Sequence, residues 1–285
     1  MVHVTIGEMR KTIIHPTACI ASGAQIGQGV SIGPWCCVGA DVTIEDNVEL
    51  ISHVVIDGHT RLGAGSRYFP FCTVGMAPQD LKYKNEQTSC EIGCRTVVRE
   101  HVTIHRGTII GDGITRVGSD VLIMANAHVA HDCMIGDRVI IVNNVVMGGH
   151  VRIDDDARIM GAAAIHQFVR IGRAALVGGV TGVEADVIPY GSVVGNRARL
   201  IGLHWIWLRR HGVSSDEIHH MRRAFLTLYP KKGRKLPFFT RLEMVRQAFN
   251  DLRIREILEF IDAPSRRGLV HPAWCDMDQS DDEIV

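Results

Sequence analysis

Apolar residues recur along this chain at every sixth position. From Ile14 the step meets Ile20, Ile26, Ile32, Val38, Ile44, Leu50, Ile56, Leu62, Tyr68 and Val74 without a miss. It resumes at Ile92, Val98, Ile104 and Ile110, slips by one residue, and runs unbroken from Val117 to Val183. Together these make 27 hexads, and in twelve of them glycine follows the apolar residue directly, as at Gly27, Gly33 and Gly118. A period of six fits neither a 3.6-residue helix nor a long alternating strand. It describes a chain that makes a short extended segment and a bend once per hexad. Each Ile or Val then stacks on its equivalents in neighbouring coils, and glycine serves where the chain turns or approaches a neighbour closely.

Two places break the pattern. Between Val74 and Ile92 the phase survives, but Asp80 and Glu86 stand where apolar residues belong. That polar stretch, 76–90, reads as a loop leaving the coil, and loops on a rigid scaffold often carry function. The slip at 111–115 reads as a smaller excursion. Beyond about residue 190 the texture becomes helical. Ser214 and Glu217 form a capping-box pattern ahead of Ile218, Met221, Phe225 and Leu228, and Pro230 stops that helix. Thr240 and Glu243 repeat the box before Val245, Phe249, Leu252 and Ile261. The expected organisation is a repeat domain over 1–190, a helical domain over 191–270 and an acidic, disordered tail over 271–285.

Composition narrows the function. Lys plus Arg and Asp plus Glu both number 31, which disfavours a basic nucleic-acid binder and an acidic disordered chain alike. No apolar run approaches the ~18 residues of a membrane span, and residues 1–10 lack a signal-peptide core, so a cytoplasmic protein is expected. The eight cysteines include no CxxC pair and read as free thiols in small apolar sites.

The hexads resemble those of the hexapeptide-repeat proteins, which implies a left-handed parallel β-helix with three hexads to a coil. On that geometry 27 hexads make nine coils. His131, Gly149 and Gln167 then fall in one column, with Asp132 and His150 one step along. Histidine is a suitable general base near neutral pH, a carboxylate can fix its tautomer, and a glycine N–H can hold an oxyanion. No serine or cysteine nucleophile has a partner, so direct attack by a substrate group is favoured over a covalent intermediate.

The motifs QDLKY at 79–83, VTIHRGT at 102–108, NAHVAHDC at 126–133, GGHV at 148–151, IHQF at 165–168, GN at 195–196 and RRGL at 266–269 resemble the UDP-N-acetylglucosamine 3-O-acyltransferases. The resemblance spans roughly residues 12 to 270. It implies transfer of a 3-hydroxyacyl chain from acyl carrier protein to the sugar 3-hydroxyl, opening lipid A synthesis, in a cytoplasmic homotrimer without a cofactor. It implies His131 as general base, Asp132 as its electrostatic support and the Gly149 N–H as oxyanion donor. His128, His150, His166 and Gln167 would contact substrate, and Gln79, Asp80 and Lys82 would reach a neighbouring subunit's site. Arg210 would lie near the nucleotide phosphate, and Gly179 would leave the acyl groove open to a longer chain.

The stretch GLHWIWLRRHG departs from the family: His204 and Ile206 stand where it has an asparagine and an acidic residue, and the departures either alter nucleotide binding or leave Trp205 and Trp207 to pack the junction to the helical domain. Arg197 and His211 are also unusual there. The basic residues Arg209, Arg210, Arg222, Arg223, Lys231, Lys232, Arg234 and Lys235 form either a solvated face or a dock for an acidic carrier protein. Other readings of the same repeats are acylation of a 3-amino sugar nucleotide, a zinc hydratase built on His128, His131 and His150, the N-acyltransferase of the same pathway, and a non-catalytic scaffold.

Overall fold

The computed structural model describes residues 11–231 and 236–278. The chain divides into two compact units, Met1–Asn144 and Val145–Val285.

In the first unit, strands mostly two residues long stack into three parallel sheets, one per face of a coil. Partners lie three hexads apart: Ile14 on Ile32, Cys19 on Cys37, Gln25 on Thr43. The hexad residues Ile32, Val38, Ile44, Leu50, Ile56, Leu62, Tyr68 and Val74 are all buried and form the interior ladders. Each of the aliphatic side chains among them contributes about 1.5–3 kcal/mol by leaving water. Cys36, Cys72, Cys90 and Cys133 fill buried slots as free thiols, whereas Cys19 and Cys37 are exposed.

The corners correct the role expected of glycine as a turn former. The chain turns three residues after the ladder position, with positive φ at Trp35, Asn47, His53, Phe71, Asn126 and Asp132 among others, and few of these residues are glycine. Glycine directly after the ladder residue answers close approach: a Cβ on Gly33 would sit 1.8 Å from the Ile51 carbonyl oxygen.

Both interruptions are insertions. Leu62 pairs with Ile92, five hexads on where one coil takes three, so the excursion over 76–90 adds two whole hexads, which is why the phase survived. Ile92 pairs with Val117, four hexads and one residue on, so the expected one-residue slip is an insertion of a hexad plus one. Ile110, counted as a hexad, lies in that insertion and is 65% exposed.

The second unit continues the same construction by itself. Met147, Ile165 and Val183 stack on one face, Ile153 and Ile171 on another, Ile159, Val177 and Val193 on the third. Gly191–Val194 then pairs antiparallel with Arg199–Leu203, and helices follow: α1 (Trp205–Arg210), α2 (Ser215–Leu228), α3 (Phe238–Ala248) and α4 (Leu252–Asp262). Ser214 caps α2 by accepting the Glu217 N–H at 3.2 Å. The second capping box is not used: α3 starts at Phe238 after Pro237, which places Thr240 inside its first turn. The single helix expected past Thr240 is broken at Phe249, an extended C-cap, and restarts at Leu252. Of the acidic tail, Ala273–Asp278 forms a short 3-10 turn, and 279–285 lie outside the described residues, as do Lys232, Arg234 and Lys235.

Asp186, wholly buried, ties this unit together. Its carboxylate accepts the Arg170 N–H at 2.8 Å and Nε–H at 2.7 Å, while Arg170 also stacks on Phe260 of α4. Trp207 is buried, stacks on His211 at 4.0 Å and lies 5.7 Å from Tyr190; the His204 ring engages the Ala174 carbonyl at 2.9 Å. In this structure the departures at His204 and Trp207 are packing residues, and burial lowers the His204 pKa.

Candidate active site

In the first unit the chemistry gathers on one face of the coil. Strand residues Thr103–His105 pair with His128–Val129, which puts Thr103 beside His128. The Thr103 hydroxyl lies 2.7 Å from His128 Nδ1. One residue past its ladder position the backbone brings in His105, and two past the next one His131. The His105 and His128 rings meet edge to face at 4.8 Å.

His131 is 8% exposed, and its Nδ1 lies 2.8 Å from Asp132 Oδ2. A carboxylate only accepts, so Nδ1 carries the hydrogen and the basic lone pair belongs to Nε2. Asp132 stands at a coil corner with φ +59°, the left-handed conformation that aspartate tolerates better than most residues. Its oxygens also accept the Thr108 N–H at 3.0 Å and the Thr108 hydroxyl at 2.7 Å, and its own N–H donates to Thr115 Oγ1 at 2.8 Å.

Thr108 comes from the second insertion. The Gly111 and Gly113 N–H groups both donate to its carbonyl at 3.1 Å, folding the insertion into a turn that holds Thr108 over Asp132. His105, Thr108 and Thr115 were not singled out from sequence. The signal was present in VTIHRGT followed by the lapse in the hexads, but Thr108 and Asp132 lie four hexads apart.

Burial and the neighbouring imidazoles of His128 and His131 push the His105 pKa down to about 4, with Arg106 adding to the effect. Burial, then His131, lowers that of His128. At neutral pH both rings are therefore uncharged, and neither opposes positive charge arriving on a neighbouring base.

The excursion over 76–90 is anchored by Arg106, which donates to Tyr83 Oη at 2.9 Å and to the Gly75 carbonyl at 2.8 Å. Asp80 Oδ1 accepts the Lys82 N–H at 2.9 Å, while Gln79 and Lys82 are exposed and Leu81 is completely so.

In the second unit, the Phe168 N–H donates to the Gly149 carbonyl at 3.1 Å, so Gly149 and Gln167 lie on adjacent coils. The His150 ring stacks on Phe168 at 4.6 Å, and exposed His166 stands beside Gln167. At Gly179 an added Cβ would meet only the Gly161 carbonyl oxygen, at 3.4 Å. Arg210 is exposed at the end of α1.

Hexads folded into three-sided coils, carrying a buried histidine–aspartate pair, define a class: the hexapeptide-repeat transferases. The family described as bacterial transferase hexapeptide (six repeats) matches residues 114–149, and domain 2 of Udp N-acetylglucosamine O-acyltransferase matches 186–270. An acyl-[acyl-carrier-protein]–UDP-N-acetylglucosamine O-acyltransferase from Rhizobium johnstonii is 42% identical, covering 94% of this chain and 97% of that one. One of the same name from Agrobacterium fabrum is 41% identical over 91% of this chain and 95% of its own length. The UDP-N-acetylglucosamine acyltransferase structure from Francisella novicida superposes with TM-score 0.88 at 32% identity, over 96% and 99% of the two chains. The chain belongs to the UDP-N-acetylglucosamine O-acyltransferase family. Its fold is theirs, a left-handed parallel β-helix followed by a small α-helical region.

Proposed function

We propose that this protein transfers a 3-hydroxyacyl chain from acyl carrier protein to the glucosamine 3-hydroxyl of UDP-N-acetylglucosamine, the first step of lipid A synthesis. The observation that carries the chemistry is the buried His131–Asp132 pair at 2.8 Å, braced by Thr108. His131 Nε2 takes the proton as the sugar oxygen attacks the thioester carbon. Asp132 stabilises the imidazolium through Nδ1–H, and the Gly149 N–H holds the oxyanion. Collapse of the tetrahedral intermediate breaks the carbon–sulfur bond, and the proton passes from His131 to the departing carrier thiolate. No covalent enzyme intermediate is needed.

The other candidates take binding roles: His128, His150, His166 and Gln167 toward sugar, diphosphate and acyl groups, Arg210 toward the nucleotide phosphate, Gly179 at the acyl terminus. Gln79, Asp80 and Lys82 reach a neighbouring subunit in a homotrimer; the fully exposed Leu81 between them supports a loop tip that meets another chain. Exposed Arg209, Arg210, Arg222 and Arg223 offer the acidic carrier protein a basic face. The reaction belongs to the cytoplasm, where eight free thiols stay reduced. Among the described residues no helix is long and apolar enough to cross a membrane.

Incubation with 3-hydroxyacyl carrier proteins and either UDP-N-acetylglucosamine or its 3-amino analogue, with products identified by mass, tests the assignment. The expected product is the 3-O-acyl sugar nucleotide. Acylation of the amino analogue alone would reassign the acceptor, and no acylation of either would overturn the proposal.

A further inference from the structure

The C-terminal segment 265–271 returns to the coil. Asp186 donates its N–H to the Gly268 carbonyl at 2.8 Å and accepts the Val270 N–H at its own carbonyl at 2.8 Å. Ser265 Oγ accepts the Arg267 and Gly268 N–H groups at 3.0 and 2.9 Å, and Gly268 takes φ +66° to complete the turn. The segment is thus fixed on both sides of two consecutive arginines. Arg266 lies 4.5 Å over the Phe168 ring, which also stacks on His150. Arg267 Nε donates to the Gln167 carbonyl at 2.8 Å, and its Nη2 meets His166 Nδ1.

That last contact has one chemical meaning. A guanidinium has donors and no acceptor, so His166 Nδ1 must present its lone pair, and the ring hydrogen resides on Nε2. The Gln167 carbonyl lies 3.3 Å from the same Nδ1, a longer approach that would need a hydrogen there; the donor-only guanidinium excludes it. Because Arg267 engages Gln167 through the same planar fork, it fixes the ring's orientation as well as its tautomer.

We propose that Arg267 is a positioning residue that locks His166 as an Nε2–H donor. Resting on the reading of His166 as a substrate contact, the ring then serves an oxygen acceptor of the substrate, and it is not a second base beside His131. Lysine can reach one of the two acceptors but cannot bridge them, so Arg267→Lys should restore the function only in part.

The test uses the full chain labelled with ring-15N histidine, the His166 signals being identified by their loss in His166→Gln. Wild type should show the Nε2–H pattern, Arg267→Gln a mixture of both tautomers, and Arg267→Lys an intermediate state. In parallel, Arg267→Gln should raise the KM for the sugar nucleotide about tenfold with a smaller change in kcat, as expected for lost ground-state binding. An unchanged His166 pattern in folded Arg267→Gln or Arg267→Lys would overturn the proposal whatever the kinetics. A tautomer shift with unaltered kinetics supports the Arg267 role and sinks the substrate role of His166 instead.

Discussion

Lowering the pH from 7 to 5 should cost each chain about 2 kcal/mol through His105 alone. In the unfolded chain this residue takes up a proton near pH 6.5; in the fold, burial and the imidazoles of His128 and His131 delay that to about 4. Its contribution is therefore whole above pH 6.5 and is lost as pH falls from 6.5 toward 4. The full difference is about 3 kcal/mol, of which about 2 is gone by pH 5. The residue is only 5% exposed, so solvent does little to screen this effect. Its Nδ1 has no hydrogen-bond partner among the described residues, so His105→Leu removes the titration without stranding a donor. Denaturant midpoints of wild type and variant, at equal chain concentration and at pH 7 and 5, give the comparison. Wild type should lose about 2 kcal/mol more than the variant over that interval, or ~4–8 °C in Tm. Parallel losses in the two proteins would refute the account of His105 as a histidine held neutral by its surroundings.

Three further outcomes follow from particular contacts. Asp132→Asn keeps the size of the side chain but loses the charge facing His131 and one acceptor toward Thr108, so kcat should fall about 100-fold or more with little change in KM. Asp186→Ala strips the buried partner from Arg170 and should destabilise the second unit by about 3–5 kcal/mol, read by hydrogen exchange of α4 relative to the coil. Gly179→Met, whose Cβ has space beside Gly161, should shift the preferred donor to a shorter acyl chain in a competition among carrier proteins, with stability unchanged.

How much of this was legible in the sequence depends on the length scale of each interaction. The ladders were plain because every interior position asks for the same thing, an aliphatic side chain, and so the same signal repeats. The same uniformity misled at Ile110, an isoleucine in phase by accident but placed in a solvent-facing turn. The longer excursion hid its length because it spans two whole hexads. Ser214 announced its helix because a cap is a local hydrogen bond; the break before Leu252 did not, since apolar spacing continues through Phe249. Within the site, His131 and Asp132 are neighbours in sequence and their contact could be foreseen. Thr108 reaches Asp132 only because an insertion folds back, and Arg267 reaches His166 from the far end of the chain. No periodicity encodes contacts of that kind.

The proposed chemistry rests on His131 taking the proton from the attacking hydroxyl. Single-turnover acyl transfer from a 3-hydroxyacyl carrier protein to UDP-N-acetylglucosamine, compared between wild type and folded His131→Ala, isolates that step. The chemical step should slow by about 10²–10⁴-fold in the variant with sugar-nucleotide binding retained. Transfer by His131→Ala within a few-fold of wild type would rule out His131 as the base.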